Sequence, residues 1–313
     1  DSSSMVIEVG ANDGYLLQYV KGRNIPCMGI EPTAGPAAAA REKGIEINER
    51  FFGRQLAGDL LSNGRTADLM TANNVLAHVP DINDFTAGFT TLLKAGGVVT
   101  FEFPHLLKLV SGGYFDTIYH EHYSYLSLTT VILIMEHNGL DVFDVEEVET
   151  HGGSLRVFAQ KIKPGNHRRT DQVEELLKRE HSSGVCTAAF YGGFQDRTNE
   201  IKDNFLSFLL DARSKGKRIA AYGAAAKGNT LLNYAGIRTD LIDYVVDRNP
   251  AKQGHFLPGS RIPIVEEERL KSTRPDYVVI LPWNLSEELS RQLEYVRGWG
   301  GQLVTVLPEV VIL

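Results

Sequence analysis

The sequence predicts an α/β fold: a mostly parallel wound sheet finished by an antiparallel hairpin, then a second α/β unit. Three observations predict it. Short apolar runs alternate with helix-spaced segments from Met5 to Gly139, as in a parallel sheet covered on both faces. Two further apolar runs, 141–148 and 154–160, are joined only by Glu149-Thr150-His151-Gly152-Gly153, a hairpin-length connection. After a helical stretch, a new strand-to-helix pattern starts at Gly223-Ala224-Ala225-Ala226-Lys227-Gly228. The 313 residues are enough for two domains at about 150 each. Lys163-Pro164-Gly165-Asn166 reads as the linker, giving domains 1–163 and 164–313.

The elements follow in order. Met5 to Val9 is strand one, and Tyr15 to Val20 is a helix with Leu16, Leu17 and Val20 on one side. Cys27 to Ile30 is strand two, ending at Glu31-Pro32. Ala37 to Lys43 is a helix of strong formers, stopped by Gly44. Ile45 to Asn48 and Ala67 to Ala72 are strands three and four. Phe85 to Leu93 is a helix closed by Gly96-Gly97, and Val98 to Phe103 is strand five. Ser127 caps a helix running through Met135 to Gly139. A parallel sheet ending in such a hairpin is the layout of the class I methyltransferase fold. In the second half, 174–181 and 194–215 read as helices. Arg218 to Tyr222, Leu241 to Val246, Tyr277 to Leu281 and Leu303 to Val306 read as strands of a Rossmann-like domain.

Composition narrows the function. A net charge of -7 argues against a nucleic-acid partner. No apolar run approaches the roughly 20 residues of a membrane helix, and no signal peptide is evident. Two distant cysteines make neither a disulfide framework nor a zinc site. The expected location is cytoplasmic.

Glu8-Val9-Gly10-Ala11-Asn12-Asp13-Gly14 joins strand one to a helix. Gly10 lets the backbone turn tightly and approach a ligand. Glu31, at the tip of strand two, can accept both ribose hydroxyls. The spacing is not G-x-G-x-x-G, and Asp13 would repel a pyrophosphate. Asp13 suits a cationic sulfonium with an amino-acid tail, so S-adenosylmethionine is expected rather than a nicotinamide cofactor. Phe51, after strand three, faces either the adenine or the core. Asn73 and Asn74, after strand four, are expected at the ligand crevice. The segment Tyr119-His120-Glu121-His122-Tyr123 offers general acid/base groups, since histidine titrates near ~6.5. Incidental surface polarity is the alternative there, and metal binding through His120-x-His122 with Glu121 a lesser one. His78 is a second candidate. The loop from Gly223 to Gly228, with Lys227, can cradle phosphate at a helix start. Asp247, further along, keeps a dinucleotide reading open.

Four stretches together carry a resemblance: 8–14, Tyr119-x-Glu121-His122, His151-Gly152-Gly153-Ser154-Leu155-Arg156, and Gly223 to Lys227. They resemble the sugar C-methyltransferases, which methylate nucleotide-linked 4-keto deoxysugars. The resemblance implies His122 as base, with Glu121, Tyr119 and His78 beside it. It implies cofactor contacts from Glu8, Gly10, Asn12, Asp13, Gly14, Glu31, Pro32, Phe51, Asn73 and Asn74. It implies substrate contacts from His151, Gly152, Gly153, Arg156, Gly223 and Lys227. The family also carries an N-terminal zinc-binding domain built on cysteines; this sequence starts at strand one without it, so no zinc is expected in this chain. The competing readings are a small-molecule O- or N-methyltransferase, a non-catalytic cofactor-binding protein and a nicotinamide oxidoreductase.

Overall fold

The computed structural model describes residues 2–313 as two compact units, 2–107 with 121–187, and 108–120 with 188–313. The linker stretch 163–166 is therefore not where the chain divides. The segment 164–187 folds with the first unit, and 108–120 is lent to the second.

In the first unit the chain runs β1 (Val6–Val9), α1 (Leu17–Gly22), β2 (Cys27–Ile30), α2 (Ala34–Glu42), β3 (Glu46–Asn48), α3 (Arg54–Ser62) and β4 (Ala67–Asn73). Then come α4 (Ile82–Leu92) and β5 (Leu93–Pro104), and the chain leaves the unit within α5 (Leu106–Gly112). It returns for α6 (Leu128–His137), the hairpin β6 (Leu140–Val148) and β7 (Ser154–Lys161), and α7 (Asp171–Ser183). The seven strands lie in the order β3-β2-β1-β4-β5-β7-β6. The first five are parallel, and β7 runs antiparallel to both β5 and β6. This is the class I methyltransferase-type wound sheet. Its apolar strands bury both faces: Ile7, Met28, Met70 and Phe101 are at 2% exposure or less. Two local expectations shift. Gly96 and Gly97 lie inside β5 rather than after α4, which already ends at Leu92. No helix is expected at α3, where Leu56, Ala57 and Leu60, at helical spacing, bury one face. Ser127 caps α6 as expected, accepting from the Thr130 N–H.

The second unit begins with α8 (Ala188–Tyr191) and the 21-residue α9 (Phe194–Ser214). β8 (Ile219–Tyr222), α10 (Ala226–Tyr234), β9 (Val245–Val246) and β10 (Ile264–Val265) follow. The chain closes with α11 (Glu268–Thr273), β11 (Tyr277–Ile280), α12 (Ser286–Gln292), β12 (Gln302–Thr305) and β13 (Val311–Ile312). The sheet order is β10-β9-β8-β11-β12-β13, parallel except for β13. The expected strand 241–246 shrinks to two residues. β10 and β13 are too short for an alternating pattern to reveal.

Candidate functional site

The loop after β1 is tied to the end of β2. The N–H groups of Gly10 and Ala11 both donate to the Ile30 carbonyl, at 2.8 and 3.2 Å. Gly10 has φ +74, and a Cβ there would lie 2.5 Å from Val75 Cγ2. Only glycine fits that conformation and that approach. Glu31 is buried, and its two carboxylate oxygens accept the Asn12 N–H (3.0 Å) and the Thr33 N–H (2.8 Å). It thus shapes the loop before any ligand arrives, and each oxygen keeps a second lone pair for a donor. Pro32 is half-buried beside it.

Asp13, the acid expected to meet a cationic ligand, already has a partner. Asp13 lies at the surface, ion-paired with Lys43 at 2.8 Å, and that hydrogen bond holds its carboxyl below the usual range. Glu8 is 5% exposed, and its Oε2 has no partner among the described residues. Burial pushes its carboxyl up to about 8. An acid so placed gains most from a cation that keeps it ionised. Gly14 has φ +76, and a Cβ there would collide with Ile45 Cδ1 and lie 3.2 Å from Ala40 Cβ of α2. Phe51 is 85% exposed and takes no part in the core. Its neighbour Phe52 does, edge-on to Phe85 and Phe89.

At the end of β4, Asn73 and Asn74 each hold a side-chain oxygen that is buried and without a partner among the described residues. Asn74 has φ +55 and donates its N–H to the Glu102 carbonyl. Val75, against Gly10, leads into a single 3-10 turn, Leu76–His78. There the Ala77 carbonyl accepts the N–H groups of Tyr123 and Ser124, at 2.8 and 3.2 Å. This brings the His78 and His122 rings to 4.7 Å, edge to face, with Tyr125 next to His122 at 6.2 Å. Two histidines 44 positions apart thus meet one turn from the glycine loop. Glu121 is exposed on the same segment. Tyr119 is half-buried and belongs to the second unit. Among the described residues no cluster of His, Cys, Asp and Glu could hold a metal.

The hairpin connection carries three positive φ values in a row, at His151, Gly152 and Gly153. His151 is exposed. Arg156 is already engaged by Glu102 (2.8 Å) and Glu146 (3.3 Å), and Thr150 donates to Glu102. Its expected free guanidinium for substrate is thus held by two carboxylates. Glu102, buried at 5%, was not singled out in the sequence. Its alternation with apolar neighbours on β5 was the one available signal.

In the second unit, Gly223 has φ +92, and a Cβ there would lie 2.5 Å from Pro282. Lys227 sits in the first turn of α10, bonded to Asn284 Oδ1 at 2.8 Å and 4.9 Å above the Trp283 ring. Desolvation lowers its pKa, with Asp116 nearby opposing the shift. Asp116 is fully buried, accepts from Trp283 Nε1 at 2.8 Å and is pushed up to about 6 by burial. Asp247 is spent internally: it accepts from Ala224 N, Asn249 N and Lys252 Nζ. The acid that a dinucleotide ribose needs is thus occupied by a lysine.

Two family descriptions match the chain: a methyltransferase domain over residues 1–145 and a C-methyltransferase C-terminal domain over 149–308. C-methyltransferase NovU from Streptomyces niveus is 33% identical over 306 residues, 97% of this chain and 72% of that protein. A ubiquinone biosynthesis O-methyltransferase from Colwellia psychrerythraea is 26% identical over 189 residues, 54% of this chain and 70% of that protein. Among solved structures, an S-adenosylmethionine-dependent methyltransferase from Listeria monocytogenes aligns at a TM-score of 0.41. It has 15% identity and covers 52% of this chain and 92% of that one.

Proposed function

The chain belongs to the S-adenosylmethionine-dependent C-methyltransferases, and on that premise we propose that it methylates C3 of a nucleotide-linked 4-keto deoxysugar. The pairing of His78 with His122 carries the proposal. Carbon is a poor nucleophile until a proton leaves it, and a 4-keto group acidifies the neighbouring C–H by spreading charge onto oxygen. His122 is the base that takes the C3 proton. His78, or Tyr119, donates a hydrogen bond to the enolate oxygen as charge grows there.

The residues of the first loop fit the cofactor. The buried, unpartnered Glu8 oxygen can take a cationic group, Glu31 has lone pairs to spare for ribose hydroxyls, and Gly10 holds the positive-φ turn that the loop needs. Asn73 and Asn74 supply two further unsatisfied acceptors. S-adenosylmethionine, when bound, supplies an electrophilic methyl. The chain's share is to hold ribose and amino group, to place His122 at the sugar and to keep the reacting groups at near-attack distance. Lys227, with the uncapped N-terminus of α10, is proposed to meet the phosphates of the nucleotide.

Calorimetric titration with S-adenosylhomocysteine tests the cofactor, and solvent exchange of the sugar C3 hydrogen tests the base. His122→Asn should leave S-adenosylhomocysteine binding unchanged and slow C3 exchange by about 10²–10⁴-fold. Exchange at the wild-type rate would remove His122 from the role. Turnover of hydroxyl acceptors lacking a ketone would transfer the activity to oxygen.

A further inference from the structure

We infer that Glu180 is a positioning residue that, through His105, fixes the segment 121–126 on which His122 stands. The inference rests on the reading of His122 as the base.

Glu180, on α7, has no exposed surface, and a carboxylate in a core is tolerated only with donors around it. It has four. Its Oε1 accepts from the Leu128 N–H (2.7 Å) and His105 Nε2 (2.7 Å). Its Oε2 accepts from the Thr129 N–H (2.9 Å) and hydroxyl (2.6 Å). Burial alone would raise this acid; the donors outweigh it and hold the carboxyl below its usual range.

Two of those bonds satisfy orphan backbone N–H groups at the start of α6, and a third takes the Thr129 hydroxyl beside them. The fourth is not needed for that. His105 stands where three segments meet. It follows the last residue of β5, its N–H donates to the Gly153 carbonyl at 3.0 Å, and it bridges Leu126, whose carbonyl accepts the Leu106 N–H at 2.9 Å. An ionised carboxylate only accepts, so Nε2 of His105 carries the proton. Nδ1 has no partner among the described residues. The ring is therefore oriented from one nitrogen alone, and Glu180 is what orients it.

The consequence reaches His122. Segment 121–126 is tied to the Ala77 carbonyl through Tyr123 and Ser124, and to the His105–Leu126 crossing at its far end. His78 follows Ala77 directly. Releasing that crossing lets His122 move relative to His78.

The test uses the full chain with its histidine rings labelled for ¹H–¹³C spectra. His105→Phe should displace or broaden the His122 and His78 ring signals, while S-adenosylhomocysteine affinity stays within about twofold. His105→Gln, which restores a donor near the Nε2 position, should return those signals to their wild-type places. Unchanged His122 signals in a folded His105→Phe chain would overturn the inference. So would equal disturbance by His105→Gln. Should His105→Phe not fold, Glu180→Gln, which keeps the shape and loses the charge, is read the same way. These spectra need no sugar, so a failure of the His122 base assignment, seen in C3 exchange, is distinguishable from a failure here.

Discussion

Glu8 shows how one residue couples folding, pH and ligand. Its carboxyl is pushed from 4.5 up to about 8 by burial. The unfolded chain releases that proton near 4.5, and the folded chain keeps it until near 8. Folding stability from this group is therefore complete below about 4.5 and is lost as the pH rises through 8. Glu8→Gln should flatten the fall in Tm between pH 5 and 8. A cationic ligand demands the ionised form, so binding near pH 7 should expel a proton. Titrations of S-adenosylhomocysteine in two buffers of different ionisation enthalpy read that release. Affinity should rise with pH towards 8 in the wild type. In Glu8→Gln it should be about ten- to a hundredfold weaker, as expected for loss of a charged hydrogen bond, and flat with pH. Absence of proton release would detach Glu8 from the cofactor. At this scale the sequence was half legible. It marked the loop and both histidines of the pair. It could not show that Asp13 is claimed by Lys43, 30 positions away, nor that His105 and Glu180 meet across 75, because such contacts are made by the fold.

At the scale of elements, the β1 loop is shaped before it binds anything. Gly10 lies in the left-handed region and nearly touches Val75, and Glu31 holds the Asn12 N–H. Gly10→Ala should destabilise the chain by about 1–3 kcal/mol from backbone strain alone, more with the Val75 collision, in urea unfolding. Adding Val75→Ala should recover the collision but not the strain. A neutral Gly10→Ala would mean the loop has another shape. Helices and strands of the first sheet were readable because apolar periodicity encodes them, and 15–20 versus Leu17–Gly22 is a typical displacement. The two-residue β10 and β13 left no pattern long enough to read.

At the scale of the whole molecule, each large apolar cluster stays within one unit: Ile7 to Leu176 in the first, Phe115 to Leu307 in the second. All the proposed cofactor contacts lie in the first. Saturation at about 100 times Kd adds about 2.7 kcal/mol to whichever unit binds. Hydrogen exchange with S-adenosylhomocysteine should therefore slow along β1, β2 and β4 and leave β8, β11 and β12 unaltered. Equal protection of both sheets would contradict a cofactor site confined to the first. The sequence showed two α/β units but not their weave. Nothing in the composition of 108–120 marks it as part of the second core, although Phe115 and Asp116 are buried there.

That loan of 108–120 has a consequence for synthesis. A ribosome delivers Phe115 and Asp116 long before Trp283, the indole that Asp116 accepts from. For most of translation these residues have no place to bury themselves, so the second core can close only after nearly the whole chain has emerged. Residues 188–313 produced as a separate gene fragment would lack a piece of their own interior.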